Sequence, residues 1–535
     1  MADSTFSMVK AACALFVVVM LGGCGSTPTL RQVAEDTWIE ARTENFVVLT
    51  NAGEDRARYL VQNLEDFRRL VIKATNLDIE SNPLPFHVVA LSTTGQFRAL
   101  IDDDQVFGAF QHSHRGGLAV VNLTARAPDG TDSLEVTQTA YGPLYRAKQN
   151  MRGVGMDGVF HEYVHYLLEV DAKRRYPLWF HEGYAEYLST YDISNDGRYR
   201  LGDPPMHRVL ALEKARWIPL GALFNAKGYE TGHENGDFNA ESWLVVHYLM
   251  SDPDRREKLY AFLDRLDQPT VDTVPVFENI FGQSIEEATR SMRQYRRIGR
   301  FNADKFDRPA DPLPVPSVRV LPLDEAKEEV AFTLMHFSPA REQGIALLNE
   351  ALALNPDNTR AMALLAWVAL VDQDIPRAES IIERARGRSS ELLAMQGNLM
   401  VQRAAQQFTS NDASWTGTLE EAEKVYRQAL AMNPDEPDAL IGLARTWLIR
   451  PGKPSDEAMA LIARARLLLP MNHEIRLVEA NLRLKRGEVV AAVNGYEHVV
   501  AWAREPSIVR RARERLDEIY ALARENLNQP ANALP

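Results

Sequence analysis

The stretch "VFHEYVHYLLEV", starting at Val159, holds His161, Glu162 and His165. On a helix the two histidines, four residues apart, put both imidazoles on one side, one turn from each other. Zinc accepts neutral imidazole nitrogen, and two ligands at that spacing can share one ion. Glu162 lies beside the first histidine, where its carboxylate can hold a water on the metal. Zinc lowers the pKa of such a water to roughly 7, and a neighbouring carboxylate can take its proton as it attacks a carbonyl. A second stretch, "LWFHEGYAEYL" from Leu178, carries another His-Glu pair, with sixteen residues between His165 and Glu182. The first helix is expected to end near "DAKRRYP", because three basic residues suit a C-terminal turn and Pro177 forbids continuation. The second is expected to begin near His181 and return antiparallel.

Together the two stretches resemble the gluzincin branch of zinc metallopeptidases. There His-Glu-x-x-His is followed by a ligand glutamate in a segment like Trp-Leu-Asn-Glu-Gly-x-Ala-x-Tyr. Here the segment reads Trp179-Phe180-His181-Glu182-Gly183-Tyr184-Ala185-Glu186-Tyr187. The resemblance implies a zincin-like α+β domain, peptide-bond hydrolysis, zinc on His161, His165 and Glu182, and Glu162 as general base. It also implies that Glu186 accepts a hydrogen bond from a ligand histidine and orients it. Neighbours on a helix diverge by about 100°, so only one of His181 and Glu182 can face the metal. Glu186, four residues on, shares the face of Glu182. Gly183 is expected to let the two helices approach closely. The departures are His181 in the usual Asn position and an intervening segment slightly shorter than in the best-known aminopeptidases.

Related enzymes stabilise the carbonyl oxygen with a Tyr or His from a later helix or loop. Phe238 and Asn239 stand where family members often place the Tyr. Tyr229 and His233, in a Gly-rich loop, are the candidates left, with His233 taken as catalytic; His247 lies inside the next helix. "QHSHRGG" from Gln111 reads as a loop on the substrate side. The following strand, "LAVVNLT", reads as the edge that holds an extended peptide by backbone pairing.

These residues need a scaffold. "NFVVLT" from Asn45 reads as a strand, and the helix from Glu54 places Leu60, Leu64, Phe67 and Val71 at intervals of three or four. "PFHVVALS" from Pro85 and "GGLAVVNLTA" from Gly116 read as further strands. The expected peptidase domain spans residues 45–305, after a linker at 24–44. The Pro-rich stretch at 306–322 reads as a second linker.

Beyond it the chain turns helical and repetitive. From Pro356 to Pro434 is 78 residues, two 34-residue periods plus a ten-residue insertion placed at "TSNDASWTG". From Pro434 to Pro470 is 36, one period plus the "RPGKP" loop. Small residues recur where paired helices would touch, at Ala366, Ala378, Ala422, Ala458 and Ala492. This is similar to the tetratricopeptide repeat. Residues 323–525 are expected to form an all-α solenoid of about four repeats plus terminal helices, able to fold alone, with a concave face for a protein or peptide. A disordered tail is expected at 526–535.

At the N-terminus an apolar run from Ala11 to Leu21 is too short to span a bilayer but suits a signal peptide. It ends in Leu21-Gly22-Gly23-Cys24, which resembles the lipobox of bacterial lipoproteins. Cleavage after residue 23 would leave Cys24 as the mature chain's single cysteine, available for acylation and unable to pair internally. Gly25 follows it, where Asp would favour inner-membrane retention, so the expected place is the outer membrane, facing the periplasm. Met8 is a more typical start for such a signal than Met1. A net charge of −13 argues against nucleic acid as a partner. The expectation is therefore a lipid-anchored zinc metallopeptidase whose repeats recruit a substrate or protein partner. The alternative is an envelope scaffold lipoprotein working through its repeats, with the zinc domain silent.

Overall fold

The structure is a computed structural model. It describes residues 27–78, 84–101, 108–124, 134–139, 142–147, 155–171, 176–214, 216–226, 235–266, 272–338, 340–503 and 506–528. The expected signal peptide, Cys24, and residues 529–535 of the expected tail lie outside these. Among the described residues no helix is long and apolar enough to cross a membrane.

A six-stranded sheet organises the N-terminal half. Its strands are β1 (Ile39–Arg42), β2 (Phe46–Thr50), β3 (Phe86–Leu91), β4 (Gly108–Ser113) and β5 (Gly116–Asn122), with a much later strand at Ser317–Val320. In spatial order that late strand lies at one edge, followed by β1, β2, β3, β5 and β4. β2, β3 and β5 run parallel, and β4 folds back antiparallel on β5. Two two-residue periods are superposed in the parallel strands. Val48, Val88 and Val121 enter one core, while Val47, Val89 and Val120 enter the other. Both faces are therefore covered, and β2, β3 and β5 are buried along their whole length.

The first face is covered by α2 (Glu54–Ala74) and α4 (Gly155–Val170), the second by α1 (Leu30–Ala34), α3 (Thr94–Leu100) and the start of the helical array. A hairpin, β6 (Leu134–Thr139) with β7 (Gly142–Ala147), precedes α4. After α4 come α5 (Leu178–Ser189), β8 (Asp192–Ile193), β9 (Tyr199–Leu201), α6 (Met206–Lys214), α7 (Leu220–Phe224) and α8 (Asn235–Met250). The half closes with α9 (Pro253–Leu266), α10 (Thr273–Phe281), α11 (Ile285–Ile298), β10 (Asp304–Phe306) and the late strand, here β11.

Several expectations are corrected. The stretch 24–44 is not simply a linker: Leu30, Val33 and Trp38 are buried, and β1 pairs on both sides. The Pro-rich stretch 306–322 likewise supplies β11, which closes the sheet against β1. "LAVVNLT" is an interior strand, and among the described residues β4 lies at that edge of the sheet. "QHSHRGG" is mostly strand rather than loop, with only His114 and Arg115 in the turn.

The C-terminal half is a succession of helix pairs: α12 (Leu323–Phe337) with α13 (Arg341–Leu354), α14 (Thr359–Val371) with α15 (Ile375–Glu383), and α16 (Ser390–Thr409) with α17 (Trp415–Met432). Then come α18 (Pro437–Ile449) with α19 (Asp456–Leu468), α20 (His473–Arg486) with α21 (Val489–Trp502), and a final α22 (Pro506–Asn528). Ala366, Ala378, Ala422, Ala458 and Ala492 are fully buried between them. A Cβ on Gly442 would lie 2.3 Å from the Tyr426 ring, so that glycine is required by the packing. The insertion forms the turn at 410–414 and the adjoining ends of α16 and α17, and Phe408 packs on Trp415 across it. α22 runs to Asn528, so the start of the expected tail is helical.

Candidate metal centre

α4 presents its apolar side to the sheet. Phe160 packs on Phe67 of α2, and Tyr163 on Phe46 and Phe86. Gly117 of β5 permits the approach, since a Cβ there would lie 2.5 Å from the Tyr166 ring. Packed this way, α4 turns His161 and His165 towards α5. That helix starts at Leu178, directly after Pro177 and three residues earlier than expected. Gly183 does allow a close approach, but to α8: a Cβ would sit 2.3 Å from the Ser242 carbonyl oxygen.

His161, His165 and Glu182 converge, each offering an atom within 4.8 Å of the others. The two Nε2 atoms are 3.1 Å apart. Glu182 Oε2 lies 3.7 Å from His161 Nε2, and its Oε1 lies 3.8 Å from His165 Nε2. Tetrahedral ligands about 2.0–2.1 Å from zinc are separated by about 3.3 Å, so this donor set fits the ion in both type and spacing. His181 is not in the donor group; its ring stacks on His165 at 6.0 Å.

Electrostatics divide the cluster. Burial disfavours a proton on His161, yet Glu182, Glu186 and Glu162 outweigh it and push the ring up to about 9. Burial takes His165 down to about 4 despite Glu182, with His161 and His181 adding to the effect. Burial drives Glu162 up to about 7 against the pull of His161, aided by Glu182 and Glu186. Gly108 of β4 flanks this carboxylate, and a Cβ there would lie 2.9 Å from its Oε1.

Glu186, buried, places Oε1 3.6 Å from His161 Nδ1, the ring nitrogen turned away from the donor group. Arg208 of α6 donates to the same oxygen at 2.6 Å, and His207 Nε2 lies 3.5 Å from the other. Burial opposes ionisation of Glu186, but Arg208, His207 and His161 hold it well below the usual carboxylate range. Arg208 and His207 carried no motif in the sequence. His112 of β4 pairs with Glu169, one turn past His165 on α4.

The candidates for the oxyanion fare differently. Tyr229 and His233 lie outside the described residues. His247 is fully buried, bonded at Nε2 to the Gly202 carbonyl and at Nδ1 to the Tyr295 hydroxyl, which is a packing role. Phe238 is core. His114 packs edge-on against Phe332 of α12.

Comparison with known proteins bears on the array. The tetratricopeptide repeat model matches residues 341–391 and 416–467, so these helices are tetratricopeptide repeats. Among solved structures, a thermophilic TPR protein of Thermus thermophilus is 20% identical, covering 36% of this chain and 98% of its own, at a TM-score of 0.30. YrrB, a TPR protein described as having an unusual peptide-binding site, is 14% identical over 35% of this chain and 91% of its own, at 0.24. Yeast Tom70 is 15% identical over 51% of this chain and 65% of its own, at 0.22. No curated protein matches the chain.

Proposed function

We propose that the chain is a zinc-dependent peptidase carrying a tetratricopeptide array. The observation that carries this reading is the convergence of His161, His165 and Glu182 beside a buried Glu162. Zinc, when bound, supplies a Lewis acid that makes a water acidic near neutral pH and polarises a carbonyl. Glu162 takes a proton from the attacking water and returns it to the departing amine nitrogen. Burial pushes its carboxyl up to about 7, which makes the carboxylate a stronger base than an exposed one. Glu186 faces His161 Nδ1 at 3.6 Å, which favours a proton on that nitrogen and leaves Nε2 for the metal. Among the described residues β4 is an edge strand beside Glu162 through Gly108, and its outer side would offer backbone groups to an extended peptide.

The test is Glu162→Gln in the full chain. The amide cannot accept the proton while both histidines stay in place. Zinc content should be unchanged, and cleavage of denatured casein should disappear. Cleavage near the wild-type rate would sink the mechanism.

A second reading, an envelope scaffold acting through its repeats, is favoured by the matched repeats, which in other proteins present a concave face to peptides or proteins. The retained Glu162 separates the two, because a scaffold has no use for a base at that position. For either reading we place the protein on the envelope membrane through acylated Cys24, most consistent with the outer membrane facing the periplasm. Cys24→Ser should move the protein from the detergent phase to the aqueous phase in a partitioning assay; unchanged partitioning would count against the anchor.

A further inference from the structure

The turn between β4 and β5 is inserted into the helical array. Arg115, at its tip, has a side chain only 7% exposed. Its Nη2 donates to Glu328 Oε1 at 2.8 Å, its Nη1 lies 3.5 Å from Glu329 Oε2, and its Nε lies 3.5 Å from Glu391 Oε1. The guanidinium carbon stands 4.1 Å from the centroid of the Phe332 ring. Arg360 closes the network, donating to Glu329 Oε1 at 2.7 Å and facing Glu328 and Glu391 at 3.5 and 3.9 Å. The network around Arg115 thus draws on α12, α14 and α16, the first helices of three successive pairs, which stack side by side. In a solenoid of this kind that is the inner surface, where a partner's side chain would be expected.

We propose that the array acts as a clamp on the substrate strand, and that Arg115 is a positioning residue for peptide binding. This rests on the peptidase reading of the site. β4 is an edge strand, with β5 as its hydrogen-bonded neighbour. Its position is set by β5, by Phe110 packed on Phe86 and Tyr166, by the His112–Glu169 pair, and by whatever holds its tip. A buried ionic network is a poor way to gain stability, since apolar groups of the same volume often do as well or better. What it does give is a single orientation. Charged groups in fixed directions hold the tip far more tightly than an apolar contact, which tolerates sliding. Sliding matters here: one residue along a strand is about 3.3 Å, and it turns every side chain to the opposite face. Gly108, at the far end of β4, lies against Glu162, so the strand lays its peptide beside the base, which is itself fixed on α4. A strand free to slip at its tip would hold that peptide less well and leave the base where it is.

The experiment compares the full chain as wild type, Arg115→Gln and Glu391→Gln. The last lies in the array, is partly exposed, and removes one of the three carboxylates without emptying the tip. Hydrogen exchange is followed at residues 108–113 and at α4, together with zinc content and the kinetics on casein and a quenched fluorescent peptide. Faster exchange at 108–113, unchanged exchange at α4 and unchanged zinc are expected in both variants. KM should rise about tenfold with kcat nearly constant, more for Arg115→Gln than for Glu391→Gln, and Arg115→Lys should recover part of it. Exchange at β4 equal to wild type in both variants would overturn the clamp, as would a fall in kcat at constant KM. Wild type that cleaves neither substrate would instead sink the peptidase reading, while the exchange still decides whether the array holds the strand.

Discussion

Glu162 and Glu186 occupy one buried cluster, and their acidities are shifted in opposite directions. The difference is Arg208, whose guanidinium lies 2.6 Å from Glu186, whereas around Glu162 the nearest opposing charge is a histidine that the metal would require neutral. In the proposed site an ionised Glu186 faces His161 Nδ1 at 3.6 Å, and Arg208 is the chief group favouring its ionised form. Replacing Arg208 by Gln leaves Glu186 buried beside other carboxylates with its chief partner gone. Zinc affinity, measured by competition with a chromogenic chelator, should fall about 10–100-fold, as for other groups that orient a metal ligand. In a Glu186→Gln background the same change should have little further effect. Equal losses in both backgrounds would show that Arg208 acts elsewhere. His161 and His165 were legible because helical spacing puts them on one face, and Glu182 and Glu186 because the segment from Trp179 to Tyr187 resembles the gluzincin one. Arg208 was not, because its role depends on where α6 passes over α5, and no local spacing records that.

The elements were legible where one periodicity dominates. α2 shows its stripe of Leu60, Leu64, Phe67 and Val71, and β2, β3 and β5 show the unbroken apolar runs of strands buried on both faces. β4, with Gln111, His112 and Ser113, is too polar to announce itself by an apolar run. β11 is four residues inside a proline-rich stretch, and only its distant pairing with β1 makes it a strand. α8 shows how an element can carry a charge it must neutralise. Glu241, 2% exposed, accepts the Ile218 N–H on both of its oxygens, at 2.9 and 3.0 Å. Burial nevertheless pushes its pKa up to about 8, with Asp237 adding to the shift. A carboxyl raised above its unfolded value keeps a proton in the folded protein that the unfolded chain gives up. Its contribution to stability is therefore full below about pH 4.5 and is lost progressively up to about pH 8. Glu241→Gln removes the titration. The melting temperature of the variant relative to wild type should rise as pH goes from 4.5 to 8 and level off above that. A difference that stays constant across this range would mean the carboxyl is not titrating as described.

The two halves were expected to be separate bodies, joined by the Pro-rich stretch. The core contradicts that separation. Val47, Leu49, Val89, Leu91, Leu118 and Val120 of the sheet belong to the same apolar cluster as Ala326, Val330 and Leu334 of α12 and Leu365 and Ala369 of α14. The sequence could not reveal this, because a parallel strand buried on both faces looks the same whatever covers the second face. If the array is part of the sheet's covering, a chain of residues 27–322 exposes a continuous apolar face that α1 and α3 are too short to shield. Exposed apolar area of that kind destabilises by roughly 25 cal/mol per Å² and promotes association. Such a fragment should bind a hydrophobic dye strongly, lose near-ultraviolet circular dichroism, and melt without a sharp transition. Extending it to residue 409, through α16, restores the cover and the partners of Arg115, and should restore a cooperative melt. A 27–322 fragment that melts cooperatively at the temperature of the full chain would show that the sheet needs no help from the repeats. In that event the clamp on β4 would have to act through the ionic network alone.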